Sequence, residues 1–266
     1  MDNKTFAELF TEVRAKRPLV HHITNYVTVN DCANVTICAG AAPVMAHSID
    51  EVADMVSMAG ALVLNIGTLD ASQVESMLRA GTIANQLHIP IILDPVGVGA
   101  TRLRTNSARR MIHDLDIAVI KGNPAEIAIL AGAEGSIKGV DSYGIKGEPL
   151  EIARSLAIDL GHIVAISGPT DIVTDGKRTL LVDNGHPLMG RISGTGCMAS
   201  SVTGAFNAVS EDRVVATAAA LSVFGIAGEK ASLRCRAPAS FKVALLDELY
   251  GMTSEDVEKC SKVREA

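Results

Sequence analysis

Arg191-Ile192-Ser193-Gly194-Thr195-Gly196-Cys197-Met198-Ala199 is the stretch whose reading decides the fold of this chain. Two glycines one residue apart open a run of small residues that reads as a helix over 197–209. Glycines at a helix start let backbone N–H groups approach an anion closely, and the helix dipole favours negative charge there. This is an arrangement for phosphate, although a plain glycine turn that packs a helix closely uses the same letters. The letters also satisfy GxGxxA, but the dinucleotide fingerprint belongs to the first βα turn. Here the motif comes after most of the expected strands, which argues against that use.

Upstream of the motif, short apolar runs alternate with longer helix-like stretches. The expected strands are Leu19–Ile23, Ala61–Ile66, Ile89–Leu93, Ile117–Ile120, Ile163–Ile166, Ile172–Thr174 and Thr179–Val182. Alternating β and α predicts an α/β fold with a doubly wound, mainly parallel central sheet flanked by helices on both faces. The last two strands, joined by Asp175-Gly176-Lys177-Arg178, read as a hairpin added to that sheet. Helix starts are marked by capping-box spacing at Ser48 to Glu51 and at Asn123 to Glu126. Downstream, helices are expected over 197–209, 212–232 and 239–250, with a short charged helix after Thr253. No Pro-, Gly- or Ser-rich linker and no internal repeat interrupts the chain, so residues 1–266 are expected to form one domain.

In such sheets the ligand crevice lies at the carboxyl ends of the strands. Three loops fall there. Asp94-Pro95-Val96-Gly97 puts a carboxylate at a strand end, where it can meet a metal or serve as an Asx turn. Asn123-Pro124-Ala125-Glu126 makes a good helix start by itself, yet it also brings a carboxylate to the crevice, able to hold Mg²⁺ directly or through water. Ser167-Gly168-Pro169-Thr170-Asp171 ends a third strand. No GxxxxGK[ST] sequence is present, so any phosphate handling rests on parts other than a P-loop. His21 and His22 are adjacent, and in a strand their rings point to opposite faces, a poor geometry for one metal. Of the methionines at 45, 55 and 58, which read as core filling, Met45 is expected in a loop.

Composition narrows the classes. The 24 Lys and Arg against 30 Asp and Glu give a net charge of −6, which disfavours a nucleic-acid or lipid-binding surface. Aromatics are 3% with no Trp, which disfavours stacking platforms for single strands. The five cysteines form no CxxC pair, and the charged, amphipathic N-terminus does not read as a secretory leader; a reduced, cytoplasmic protein is expected. No apolar run is expected to span a membrane.

Taken together, an Asp at a strand end, a later Asn-x-x-Glu and a Gly-Thr-Gly at a helix start resemble the ribokinase-like superfamily. The stretches His21-His22-Ile23-Thr24-Asn25-Tyr26-Val27-Thr28, Asp31-Cys32-Ala33-Asn34, Gly40-Ala41-Ala42-Pro43-Val44-Met45-Ala46, Asn65-Ile66-Gly67-Thr68 and Lys121-Gly122-Asn123-Pro124-Ala125-Glu126-Ile127 look, in that order, like the hydroxyethylthiazole kinase family. The resemblance covers roughly residues 5–250. It implies a kinase that phosphorylates 4-methyl-5-(2-hydroxyethyl)thiazole with ATP and Mg²⁺, feeding thiamine salvage. It further implies a homotrimer with active sites at subunit interfaces. Asn25, Val27 and Met45 would form the thiazole pocket, Lys121 and Ser167 would contact the nucleotide, and Gly194 would lie at the substrate hydroxyl. Asp94 and Glu126 would lie near Mg²⁺ and phosphate, and the backbone of Gly194, Thr195, Gly196 and Cys197 would line an anion hole. One departure stands out: the superfamily places a catalytic Asp where this chain has Cys197, a weaker base. A hydroxymethylpyrimidine or sugar kinase would be expected to carry that Asp, as would a dehydratase repairing nicotinamide cofactors. A non-catalytic thiazole or nucleotide sensor has no need to keep Asp94, Glu126 and the Gly194–Gly196 turn together.

Overall fold

The computed structural model describes residues 2–132 and 148–266. Its centre is one sheet of nine strands in the order β2-β1-β3-β4-β5-β6-β7-β8-β9. These are β1 (Leu19–Ile23), β2 (Ala42–Met45), β3 (Ala61–Asn65), β4 (Ile91–Asp94), β5 (Val119–Gly122), β6 (Ile163–Ile166), β7 (Asp171–Thr174), β8 (Thr179–Val182) and β9 (Val263–Glu265). The first six pair in parallel; β7, β8 and β9 add on antiparallel, with β7 and β8 as the expected hairpin.

The helices are α1 (Asn3–Lys16), α2 (Val29–Ala39), α3 (Val52–Ser57), α4 (Ala71–Gln86), α5 (Arg102–Asp114), α6 (Pro124–Leu130), α7 (Pro149–Leu160), α8 (Thr195–Asn207), α9 (Arg213–Arg234), α10 (Pro238–Gly251) and α11 (Ser254–Cys260). Side chains alternate across a strand, so an unbroken apolar strand feeds two cores. Val63 and Ile92 pack with α1, α2, α8, α9 and α10 on one face. Their neighbours Leu62, Leu64, Ile91 and Leu93 pack with α3, α4, α5 and α7 on the other. Helix α8 lies close on the sheet: a Cβ at Gly204 would come within 2.8 Å of Val63. That close seat fixes where the amino end of α8 meets the strand ends.

Several expectations need correction. Ala42–Met45 is a strand, so Met45 is not in a loop; it ends β2 at the sheet edge, opposite His22. Pro43 hid it, because proline reads as a strand breaker and is tolerated at such an edge. Ser48 to Glu51 is not a capping box: α3 starts at Val52 without a side-chain cap, and Ser48 instead accepts from the Asp50 N–H (3.3 Å). The capping box at Asn123 and Glu126 is present. β9 was not expected; it pairs with β8 beyond α11. Finally, α9 does have the length and apolar composition of a membrane span, but 89% of that window is buried, as in the core helix of a globular protein.

Candidate active site

The strand ends and the amino end of α8 converge on one place. Neighbouring parallel strands bring Asn65, the last residue of β3, level with Asp94, the last residue of β4. Lys121 comes from β5, Glu126 from the first turn of α6, and Ser167 follows β6. Gly194 is the N-cap of α8 with φ of 93°, the left-handed region that favours glycine. A Cβ there would also strike Thr28 at 2.5 Å, so the turn admits no side chain. A Cβ at Gly196 would meet nothing within 4 Å, which leaves the first turn of α8 open. The N–H groups of that turn lack intrahelical partners, as at every helix start. The Thr195 hydroxyl is not free for chemistry; it donates to the Met189 carbonyl (2.9 Å) and ties down the preceding turn.

Asp94 is buried, and its Oδ2 accepts from Asn65 Nδ2 and from the Ser200 hydroxyl, both at 2.8 Å. Burial raises its pKa, while Lys121 and the two hydrogen bonds oppose the rise. Glu126 is buried too. Its Oε1 accepts from Gly97 N and its Oε2 from Asn123 N, each at 2.8 Å. Burial, helped by Asp94, pushes this carboxyl up to about 7. Lys121, 1% exposed, donates from Nζ to the Gly196 carbonyl (3.0 Å). It stands behind the first turn of α8 as the cation shared by Asp94, Glu126 and Asp171.

Cys197 is 9% exposed, and its sulfur accepts from Asn25 Nδ2 (3.3 Å) and Asn65 Nδ2 (3.2 Å). Burial first, then the charge of Asp94, pushes the thiol up to about 11. At neutral pH it is therefore a protonated, weak base. Asp94 and Glu126, two buried carboxyl groups coupled to each other and to Lys121, are hard-oxygen groups of the kind that suits Mg²⁺. Such a site completes its shell with water and substrate phosphates. Among the described residues no group of three His, Cys, Asp or Glu could hold a metal, so a site of the zinc kind is not built here. His21 and His22 each bond a backbone carbonyl, of Ala46 and Val20, and share no site.

Beside Gly196 opens a cleft of about 590 Å³. Ser167, Gly168 and Asp171 line its polar side, and Met189, Leu221 and Phe224 its apolar side. Asp171, half-buried and accepting from Gly168 N, is pushed up to about 6 by desolvation. Glycines in α9 shape the cleft: a Cβ at Gly225 would fall 2.7 Å from the Asn184 backbone, and one at Gly228 would fall 2.5 Å from Met189. Val27 is 67% exposed, and neither it nor its exposed neighbour Tyr26 lines this cleft. Of the residues expected at the site, Asn25, Asp94, Lys121, Glu126 and 194–197 come together, Ser167 faces the cleft, Val27 is exposed, and Met45 is half-buried at the sheet edge. Asn65 and Ser200 were not anticipated, although Asn65 ends the strand next to that of Asp94.

Comparison with known proteins agrees with this geometry. Residues 10–255 match the Hydroxyethylthiazole kinase family. The chain is 67% identical over 264 residues to a hydroxyethylthiazole kinase of Methanocella arvoryzae, covering 99% of each chain. It superposes on the hydroxyethylthiazole kinase of Pyrococcus horikoshii with a TM-score of 0.89, at 42% identity and 99% coverage of both. A Bacillus subtilis pyridoxal kinase shares the ribokinase-like fold at a TM-score of 0.56 and 15% identity, covering 79% of this chain and 91% of its own. A family match over residues 10–255 and near-complete coverage at this identity mean that the chain belongs to the hydroxyethylthiazole kinase family.

Proposed function

We propose that this chain transfers the γ-phosphoryl group of ATP to the hydroxyl of 4-methyl-5-(2-hydroxyethyl)thiazole, a step of thiamine salvage. The observation that carries the reading is the meeting of Cys197, Asp94 and the open first turn of α8 beside a cleft of nucleotide size. The base and sugar of ATP fit between Ser167–Asp171 and the Met189, Leu221 and Phe224 wall. The phosphates then reach Gly196, where the first N–H groups of α8 stabilise charge on the phosphoryl in flight. Asp94 and Glu126 would hold Mg²⁺ or its waters; when bound, the ion offsets phosphate charge and helps align the transfer. Lys121 keeps the two carboxylates and the α8 turn in register. Cys197 lies where the alcohol oxygen attacks. Phosphoryl transfer depends mainly on positioning and charge, so a weak base suffices for turnover.

The exposure of Val27 and the edge position of Met45 leave the thiazole pocket open within one chain. A neighbouring copy would close it, which favours the homotrimer with shared sites. On this reading the whole chain acts as one kinase domain in the cytoplasm, with small molecules and its own copies as partners. Mass spectrometry after incubation with ATP, Mg²⁺ and the thiazole alcohol tests the activity. One phosphorylated alcohol per ADP is expected; ADP without phosphorylated alcohol would contradict it.

A further inference from the structure

Asn65 takes no part in the reaction as described so far, yet it is almost fully buried and its amide is saturated. Nδ2 donates to Cys197 Sγ (3.2 Å) and to Asp94 Oδ2 (2.8 Å), while Oδ1 accepts from Asn25 Nδ2 (2.9 Å) and Gly67 N (3.0 Å). Asn25 repeats the pattern. Its Nδ2 also donates to Cys197 Sγ (3.3 Å), and its Oδ1 accepts from the Thr28 N–H (3.1 Å) and hydroxyl (3.0 Å). The network fixes both amide orientations. Turning Asn65 over would set its oxygen against the Asp94 carboxylate and its NH₂ against two N–H donors. Two N–H groups therefore aim at one sulfur, and both amide oxygens are already occupied. Neither amide can take the thiol proton, and the remaining side-chain partner of the sulfur is Thr28.

We infer that Asn65 is a positioning residue for phosphoryl transfer. It holds the Cys197 sulfur from behind and ties it to Asp94, so that the proton-exchanging side of the sulfur faces the attacking alcohol. The inference rests on the phosphotransfer reading. The other titratable groups acting on the sulfur are Asp94 from β4 and Cys32 from α2, and Lys121 acts on Asp94 in turn.

A double-mutant cycle with Cys197→Ala tests it, using Asn65→Leu, which keeps the volume and removes the donors. A residue that works through Cys197 should lower kcat by about tenfold in the wild-type background and by about threefold or less once the sulfur is gone, where only its hydrogen bond to Asp94 is lost, with KM for ATP unchanged. An equal loss in both backgrounds would overturn the inference. Asn65→Asp keeps the shape, replaces the nitrogen donor by an oxygen, and guards against misfolding of the leucine variant. It should lose activity too, and full activity in Asn65→Asp would likewise refute the role. A second arm needs no substrate. Alkylation of Cys197 by iodoacetamide at fixed alkaline pH, followed by peptide mass spectrometry, should slow several-fold in Asn65→Leu, because the thiolate loses a donor. An unchanged or faster rate contradicts the inference. A slowed alkylation with no phosphorylation of the thiazole alcohol would instead remove the proposed substrate and leave the link between Asn65 and Cys197 standing.

Discussion

Replacing Glu126 by Gln should change how the stability of this protein responds to pH. The folded chain holds the Glu126 carboxyl at about 7, from an ordinary 4.5, because it is buried beside Asp94. Below about pH 4.5 both the folded and the unfolded chain carry the proton, and the shift has no effect. Between about 4.5 and about 7 the unfolded chain releases its proton while the folded chain keeps it, so stability falls as pH rises. Above about 7 the loss is complete. At about 1.4 kcal/mol per pH unit it amounts to roughly 3 kcal/mol. Gln cannot ionise and shows no such fall. It does carry an offset: an NH₂ cannot accept as the acid's oxygens do, so one of the two backbone N–H groups, from Gly97 or Asn123, loses its acceptor at a cost of about 1–3 kcal/mol. The variant should therefore be the less stable protein near pH 4.5, and should gain about 3 kcal/mol on the wild type by pH 8. Asp94 adds to that gain, since it no longer faces a second negative charge. Urea titrations at a series of pH values, with a chelator present, read the difference directly. Curves for the two proteins that run parallel, or that diverge the other way, would refute the reasoning.

Four further outcomes are expected. Cys197→Asp should raise kcat on the order of tenfold, because an ionised carboxylate replaces a protonated thiol; general-base help is large in principle but muted where the proton leaves late. Cys197→Ala should lower kcat without abolishing it, and steady-state kinetics distinguishes this from a covalent role, which would make the alanine variant inactive. Gly225→Ala should destabilise by about 1–3 kcal/mol and raise KM for ATP, since the new Cβ pushes Asn184 into the cleft; thermal melts and ATP titrations check both. Light scattering at micromolar concentration should give three copies of the chain, and a fully active monomer would end the shared-site picture.

How far the sequence reveals this protein depends on where each residue takes its meaning. Asp94, Glu126 and Gly194–Gly196 were legible because their roles are local: a strand end, a capping box, and a turn that needs a left-handed glycine. The positions of the buried strands along the chain were legible from apolar runs bounded by turns. β2 was not, because it holds a proline and only partly buried side chains, and β9 was not, because a three-residue strand carries no periodic pattern. Asn65, quoted there only as part of a family stretch, was given no role for a different reason. It acts through contacts with residues 40, 29 and 132 positions away in the chain, and no spacing in one sequence encodes those. The pKa of Cys197 also depends on that environment. A helix start alone would lower it, but burial beside Asp94 reverses the sign.

The most direct measurement of the central claim is kcat/KM, by coupled ADP release with ATP and Mg²⁺, for the thiazole alcohol set against hydroxymethylpyrimidine, pyridoxal and a simple sugar. The account predicts that the thiazole alcohol exceeds each of the others by at least about a hundredfold, the discrimination available to a pocket that fits one ring and its methyl group. Equal values across the panel, or a higher one for the pyrimidine, would contradict it.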